Sequence, residues 1–124
     1  MKYLNILFVL VSVLLFGCKD SLTQYAPPPV KTVTLKSVDL NSVVVSGNVL
    51  RQGTYHRGFI ISKTPKTTIE NPEATLVYTE DGFGTFSQTV VLEPNTTYWI
   101  SAFAYFPGQA DNIGYGNAIV FQTK

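Results

Sequence analysis

From Val30 onward, apolar side chains recur at every second residue in short runs separated by turn-forming residues. This feature constrains the fold most. A pleated strand points alternate side chains to opposite faces, so each run buries one face and needs a second sheet to cover it. Val33 and Leu35 alternate with Thr32, Thr34 and Lys36. Ser42 to Leu50 (SVVVSGNVL) follows, with Gly47 marking a bulge or a close contact. Gln52-Gly53 is a turn, and Arg57 to Ser62 (RGFIIS) is apolar on both faces, as a central strand is. Lys63 to Ala74 carries Thr-Pro and Asn-Pro pairs and reads as a loop. Thr75 to Thr79 is a short edge strand, and Asp81-Gly82-Phe83-Gly84 a turn. Thr85 to Leu92 places Phe86, Val90 and Leu92 on one face, and Thr97 to Phe106 and Asn117 to Gln122 complete seven strands. Such a series predicts an all-β chain, a β-sandwich or barrel, and a single seven-stranded β-sandwich resolves the burial by packing two apolar sheet faces together.

The 124 residues suffice for one domain plus a short appendage. Charged residues make up 14% and the formal net charge is +1, with Lys and Arg scattered. A nucleic-acid binder needs a clustered basic face, so that class is excluded. Beyond residue 30 no apolar stretch is long enough for a membrane-spanning helix.

The amino terminus differs. Met1-Lys2-Tyr3 gives a short positive start, and Leu4 to Phe16 is apolar apart from Asn5 and Ser12. That length suits the core of a secretory signal rather than a membrane helix. Leu15-Phe16-Gly17-Cys18 resembles the bacterial lipobox, although Phe16 is bulkier than the residue usual there. The resemblance implies that residues 1–17 are a removed signal peptide and that Cys18 carries the lipid. The only cysteine in the chain has no disulfide partner, which leaves its thiol for a thioether to diacylglycerol. Two or three acyl chains give stable anchoring where one gives only marginal binding. Residues 18–29, polar and then Pro27-Pro28-Pro29, read as a tether. Asp20-Ser21-Leu22 resembles the O-glycosylation motif of Bacteroidetes and makes Ser21 a candidate acceptor; chance matching of so short a motif is the alternative.

Leu92-Glu93-Pro94-Asn95-Thr96-Thr97-Tyr98 matches the L-x-P-x-T-x-Y pattern of fibronectin type III domains. Residues 30–124 further resemble the variant of that domain in Bacteroidetes lipoproteins, through Ser46 to Val49, Arg57 to Ser62, Pro94 to Ala104 and Tyr115 to Thr123 in that order. Valines 43 to 45 stand where many such domains have Trp. The resemblance implies that Leu92 plugs the core, Pro94 sets a turn and Tyr98 forms a tyrosine corner.

Catalytic chemistry is not legible. His56 is the lone histidine and reads as a strand-edge residue, and no nucleophile, phosphate-loop or metal motif appears. Glu80-Asp81 reads as a solvated turn, and so does the Asn95-Thr96-Thr97 sequon. No catalytic residue, metal or cofactor is expected. Along Thr97 to Phe106, Tyr98, Ile100, Ala102 and Ala104 should face the core. Trp99, Ser101, Phe103 and Tyr105 then point outward. Trp99, Phe103 and Tyr105 are either covered by cross-strand packing and loops or form a contact platform. The polar, Gly-bearing loop from Pro107 to Gly114 is the other candidate contact region.

These readings give a lipid-anchored, non-enzymatic envelope protein whose sandwich serves as a binding, adhesion or spacer module. The expected partners are the membrane, reached through the lipid, and another envelope protein or a glycan. The alternative is a carbohydrate-binding accessory of a glycan-uptake system, with Trp99, Phe103 and Tyr105 stacking on sugar rings. The outer membrane is the expected location. Lys19-Asp20 partly resembles the export signal of surface lipoproteins and favours display on the cell surface over the periplasmic face.

Overall fold

A computed structural model describes residues 26–124. The expected signal peptide over residues 1–17, Cys18 and Ser21 therefore lie outside the described residues. The strands are β1 (Val30–Ser37), β2 (Ser42–Val49), β3 (His56–Ser62), β4 (Thr75–Tyr78), β5 (Gly84–Val91), β6 (Thr97–Tyr105), β7 (Gly114–Tyr115) and β8 (Ile119–Gln122). One antiparallel sheet has the order β1-β2-β5. The other has β4-β3-β6, with β7 and β8 both paired to the outer edge of β6. The expected all-β sandwich is therefore present, with one difference. The last strand, expected over Asn117 to Gln122, is the shorter β8 (Ile119–Gln122), and an additional two-residue strand, β7 (Gly114–Tyr115), precedes it across a break.

The two sheets close over Val43, Val45 and Val49 of β2, Phe59 and Ile61 of β3, Phe86 of β5, and Tyr98, Ile100, Ala102 and Ala104 of β6. Leu92 and Tyr55 seal the core beyond the strand ends. Each fully buried Val, Ile or Phe contributes ~1.5–3 kcal/mol, so this alternation is the main stabilising term. Gly47 marks both a close contact between sheets and the site of a bulge: β2 pairs with β5 in unbroken register across it, while β1 shifts its register opposite Ser46 and Gly47. A Cβ there would lie 2.8 Å from the Phe86 ring and 2.9 Å from the Ala102 methyl. The space is used by Phe86, which packs on Phe59 with ring centroids 5.0 Å apart.

β1 departs from simple alternation. Its register against β2 shifts between Thr32 and Thr34. The extra residue, Val33, is turned out and 49% exposed, while Thr32 is turned in and only 6% exposed. A bulge puts two residues opposite one and reverses the facing of what precedes it. Thr32 then meets the break in the last strand. Between Tyr115 and Ile119 β6 lacks a regular partner, and the Ala102 N–H donates instead to Thr32 Oγ1 at 2.9 Å. Gly116 N–H donates to the Ala102 carbonyl at 2.8 Å, and Ser101 Oγ donates to the Gly116 carbonyl at 2.6 Å. Thr32 and Gly116 thus stitch both sheets together where the ladder fails.

The proline segment is less free than a tether over 18–29 would be. Pro28 is buried, the Pro29 carbonyl accepts the Leu50 N–H at 2.9 Å, and Gly114 lies flush against the Pro28 carbonyl. Residues 28 and 29 belong to the packed domain.

Candidate functional site

The antiparallel registers decide which segments share an end. Val30 lies opposite Val49, Gly84 opposite Val49, and His56 opposite Tyr105. The incoming chain, the 50–55 connection, the 79–83 turn and the 106–113 loop therefore meet at one end of the sandwich. A cleft of ≈ 430 Å³ opens there, lined by Ala26, Pro28, Arg51, Tyr55, Phe106 and Gln109, with Gln52 and Asn112 beside them.

Tyr55 is its fixed floor. The ring is buried, and Phe106 stands edge-on to it with centroids 5.1 Å apart. Its hydroxyl accepts from Arg51 Nε at 3.0 Å and donates to the Gln52 carbonyl at 3.2 Å. Gly53 lies against the ring at φ 152°, in a conformation that a side chain rarely adopts, and a Cβ there would meet the ring at 2.7 Å. Arg51 Nη2 donates to the Ala26 carbonyl at 3.1 Å, and its guanidinium carbon lies 5.9 Å from the Tyr55 ring centre. The Pro107–Gly114 loop holds its own shape through Gln109 N–H to Phe106 O and Asn112 N–H to Gln109 O, at 2.9 and 3.0 Å. The result is an aromatic floor with one cation and three amide side chains around it. It can hold a ligand with a flat apolar face and polar substituents.

The neighbouring turn is clamped from inside. Buried Arg57 donates to the carbonyls of Glu80 (2.8 Å) and Phe83 (2.9 Å), with its guanidinium 4.7 Å from the centre of the Phe86 ring. Burial pulls its pKa below the ordinary value, opposed by the charges of Glu80 and Asp81. Asp81 pairs with His56 Nδ1 at 2.9 Å. Among the described residues no cluster of His, Cys, Asp and Glu fits a metal ion.

The outward row of β6 is divided by the structure. Phe103 is fully buried, which corrects its reading as a ligand contact. It lies outside the inter-sheet core, on the other face, where Tyr78 packs edge-on at 5.3 Å and Tyr105 stacks at 6.2 Å. The 63–74 loop is fastened to this same face. Buried Asn71 donates to Ser62 Oγ at 3.2 Å and to the Lys66 carbonyl at 2.8 Å, and Ile69 N–H donates to Tyr115 Oη at 3.2 Å. Tyr105 is half-buried, with His56 edge-on at 5.4 Å and its hydroxyl 3.2 Å from that of Tyr78. That hydrogen bond, aided by burial, pushes the Tyr78 phenol up to about 12. Trp99 is half-buried between Ser62 and Val120 on the neighbouring strands. Trp99, Phe103 and Tyr105 therefore do not form one open stacking platform.

Leu92, Pro94 and Tyr98 sit at the opposite end. Tyr98 Oη accepts the Glu93 N–H at 2.9 Å, Leu92 is in the core, and Pro94 leads an exposed turn in which Asn95 takes φ 51°. This is the geometry of a tyrosine corner, and its role is structural.

Sequence reasoning missed Arg51, Gln52, Tyr55 and Phe106. The signal for them was indirect: in an antiparallel sandwich the second and sixth strands end on the same side, so their outgoing loops meet.

No family model matches the sequence, and no curated protein does. The chain is similar in structure to the sensor domain of the anti-sigma factor RsgI4 of Pseudobacteroides cellulosolvens. The TM-score is 0.52 at 17% sequence identity, covering 81% of this chain and 97% of that one. At that identity the likeness shows the fold alone, and a fold does not assign a ligand.

Proposed function

We propose that this chain is a lipid-anchored protein of the bacterial cell envelope whose sandwich is a non-catalytic binding module, with the loop-end cleft as its contact site. The cleft carries the reading: three separate segments converge on a preformed aromatic floor, which is more than a spacer requires. The sheet orders and the Tyr98 corner are consistent with a fibronectin type III-like domain in residues 30–124. The anchor rests on Cys18, and outer-membrane display on the cell surface rests on the residues after it. Protease shaving of intact cells should cut a surface-displayed domain; cleavage only after lysis would place it on the periplasmic face.

A second reading has its own observation. Planar amides beside aromatic rings are suited to sugar hydroxyls and sugar faces, and the cleft offers Gln52, Gln109 and Asn112 beside Tyr55 and Phe106. The glycan-binding alternative therefore moves from Trp99, Phe103 and Tyr105 to the loop end. Glycan-array binding by the mature protein, lost with Phe106→Ala and kept with Trp99→Phe, supports it. Absence of any glycan, with a photo-crosslinker at Gln109 capturing one envelope protein, supports a protein partner. Neither outcome in a folded protein would leave the cleft without a ligand role.

A further inference from the structure

We infer, on the basis of the lipid-anchor reading and in place of a glycan or protein partner for the cleft, that the loop end of the sandwich rests on the same bilayer that holds the anchor, with Leu50, Phe83 and Phe106 in its interfacial zone and Arg51 at the headgroup phosphates. Leu50, Phe83 and Phe106 lie just after β2, in the 79–83 turn and just after β6, and each is about half exposed. Three large apolar side chains at loop tips of one end, with a guanidinium among them, match the composition of surfaces that sit in the headgroup region. Among the described residues Arg51 donates to the Tyr55 hydroxyl and the Ala26 carbonyl, and a guanidinium offers five N–H groups.

The position of the incoming chain selects the bilayer as the occupant. Ala26 is held at the cleft, and only residues 19–25 separate it from Cys18. Fully extended, that leash spans no more than about 28 Å. β6 alone has nine residues and rises about 30 Å. The leash is no longer than the sandwich, so the far-end turn, with exposed Val38 and Leu40, could approach the lipid only at full extension of the leash, whereas the loop end reaches it with the leash slack. A short leash also gives a high effective concentration, so a weak contact suffices. The same end carries Glu80, Asp81 and Asp111, and Asp81 is paired with His56. The contact is therefore apolar in the main and should persist at high salt.

The test imposes the anchor chemically. Residues 18–124 are coupled through the Cys18 thiol to a maleimide lipid in vesicles of phosphatidylethanolamine and phosphatidylglycerol with brominated acyl chains. In a Trp99→Phe background, Phe106→Trp, Phe83→Trp and Leu40→Trp each place one indole, with Leu50→Trp as a further loop-end probe should either of the first two unfold. The expected result is bromine quenching at the loop-end positions several-fold stronger than at Leu40→Trp, and little changed by salt. Equal quenching at both ends, or none at the loop end, overturns the inference. The mass of the native protein decides the anchor separately. A bare Cys18 thiol removes the anchor and the docking with it. A lipidated Cys18 without loop-end quenching leaves the anchor standing and overturns the docking alone.

Discussion

Thr32 takes the place of a missing strand with one hydroxyl. The Ala102 N–H lies at the core and has no ladder partner where the last strand breaks, so the threonine oxygen is its acceptor. Thr32→Val keeps the shape and removes the acceptor. An orphaned buried donor costs ~1–3 kcal/mol, so the unfolding free energy should fall by that amount, read as a lower urea midpoint at unchanged slope. A midpoint equal to wild type would mean that the Ala102 N–H finds another partner. Tyr98→Phe is the milder case. It removes the acceptor for the part-buried Glu93 N–H, and a net loss of ~0.5–1.5 kcal/mol is expected in the same urea melts. The two residues were not equally legible in the sequence. Leu92, Pro94 and Tyr98 form a local pattern with fixed spacing. Thr32 owes its burial to a bulge, and a period-two reading assumes that the register never slips.

At the scale of elements, β6 shows what alternation conveys and where it stops. Its inner row, Tyr98, Ile100, Ala102 and Ala104, lies in the core as the pattern requires. Its outer row points away from the core, but direction is not exposure. Phe103 is covered by Tyr78 from β4 and by Tyr105, while the 63–74 loop is fastened across the same face. Those partners are remote in sequence, and nothing in a run of ten residues reports them. The same limit hid the break between β7 and β8, where Thr32 and Gly116 together meet the N–H and carbonyl of Ala102 in β6. The Tyr78–Tyr105 contact gives this face a signature in pH. The Tyr78 phenol is raised to about 12, first by its bond to Tyr105 and then by burial. An ordinary tyrosine titrates near 10. A raised folded value stabilises fully below the unfolded pKa and is lost as pH rises through the folded one. The contribution should therefore decay between about pH 10 and 12, and solvent screening at this exposed pair keeps it small. Urea midpoints of wild type and Tyr78→Phe should converge across that range, and a difference that stays constant would rule out Tyr78 as the titrating group.

At the scale of the whole molecule, the proposed anchor and the fold should be separable, and one substitution tests that separation. Every residue of the core cluster lies between Val43 and Ala104, the strands that carry it begin at Val30, and the only cysteine is Cys18. No disulfide contributes to the sandwich, so its stability should not depend on residue 18. The loop-end cleft was not legible as a unit because Ala26, Tyr55 and Phe106 come from three segments that only the closed sandwich brings together. The proposed anchor, by contrast, rests on a local pattern at residues 15–18 and needs no knowledge of the fold. Cys18→Ser keeps the size and polarity of the position while removing the thiolate nucleophile, and an alcohol is a far poorer acceptor for a diacylglycerol group under the same conditions. The full-length variant should therefore stay unprocessed or leave the membrane fraction. Its domain should melt in urea at the wild-type midpoint once residues 1–17 are removed from both proteins. Fractionation, with the mass of the mature protein, reads the first expectation, and denaturation reads the second. A variant that is still processed and membrane-bound would defeat the lipobox reading. A soluble variant with a lowered midpoint would show that residue 18 also contributes to the sandwich.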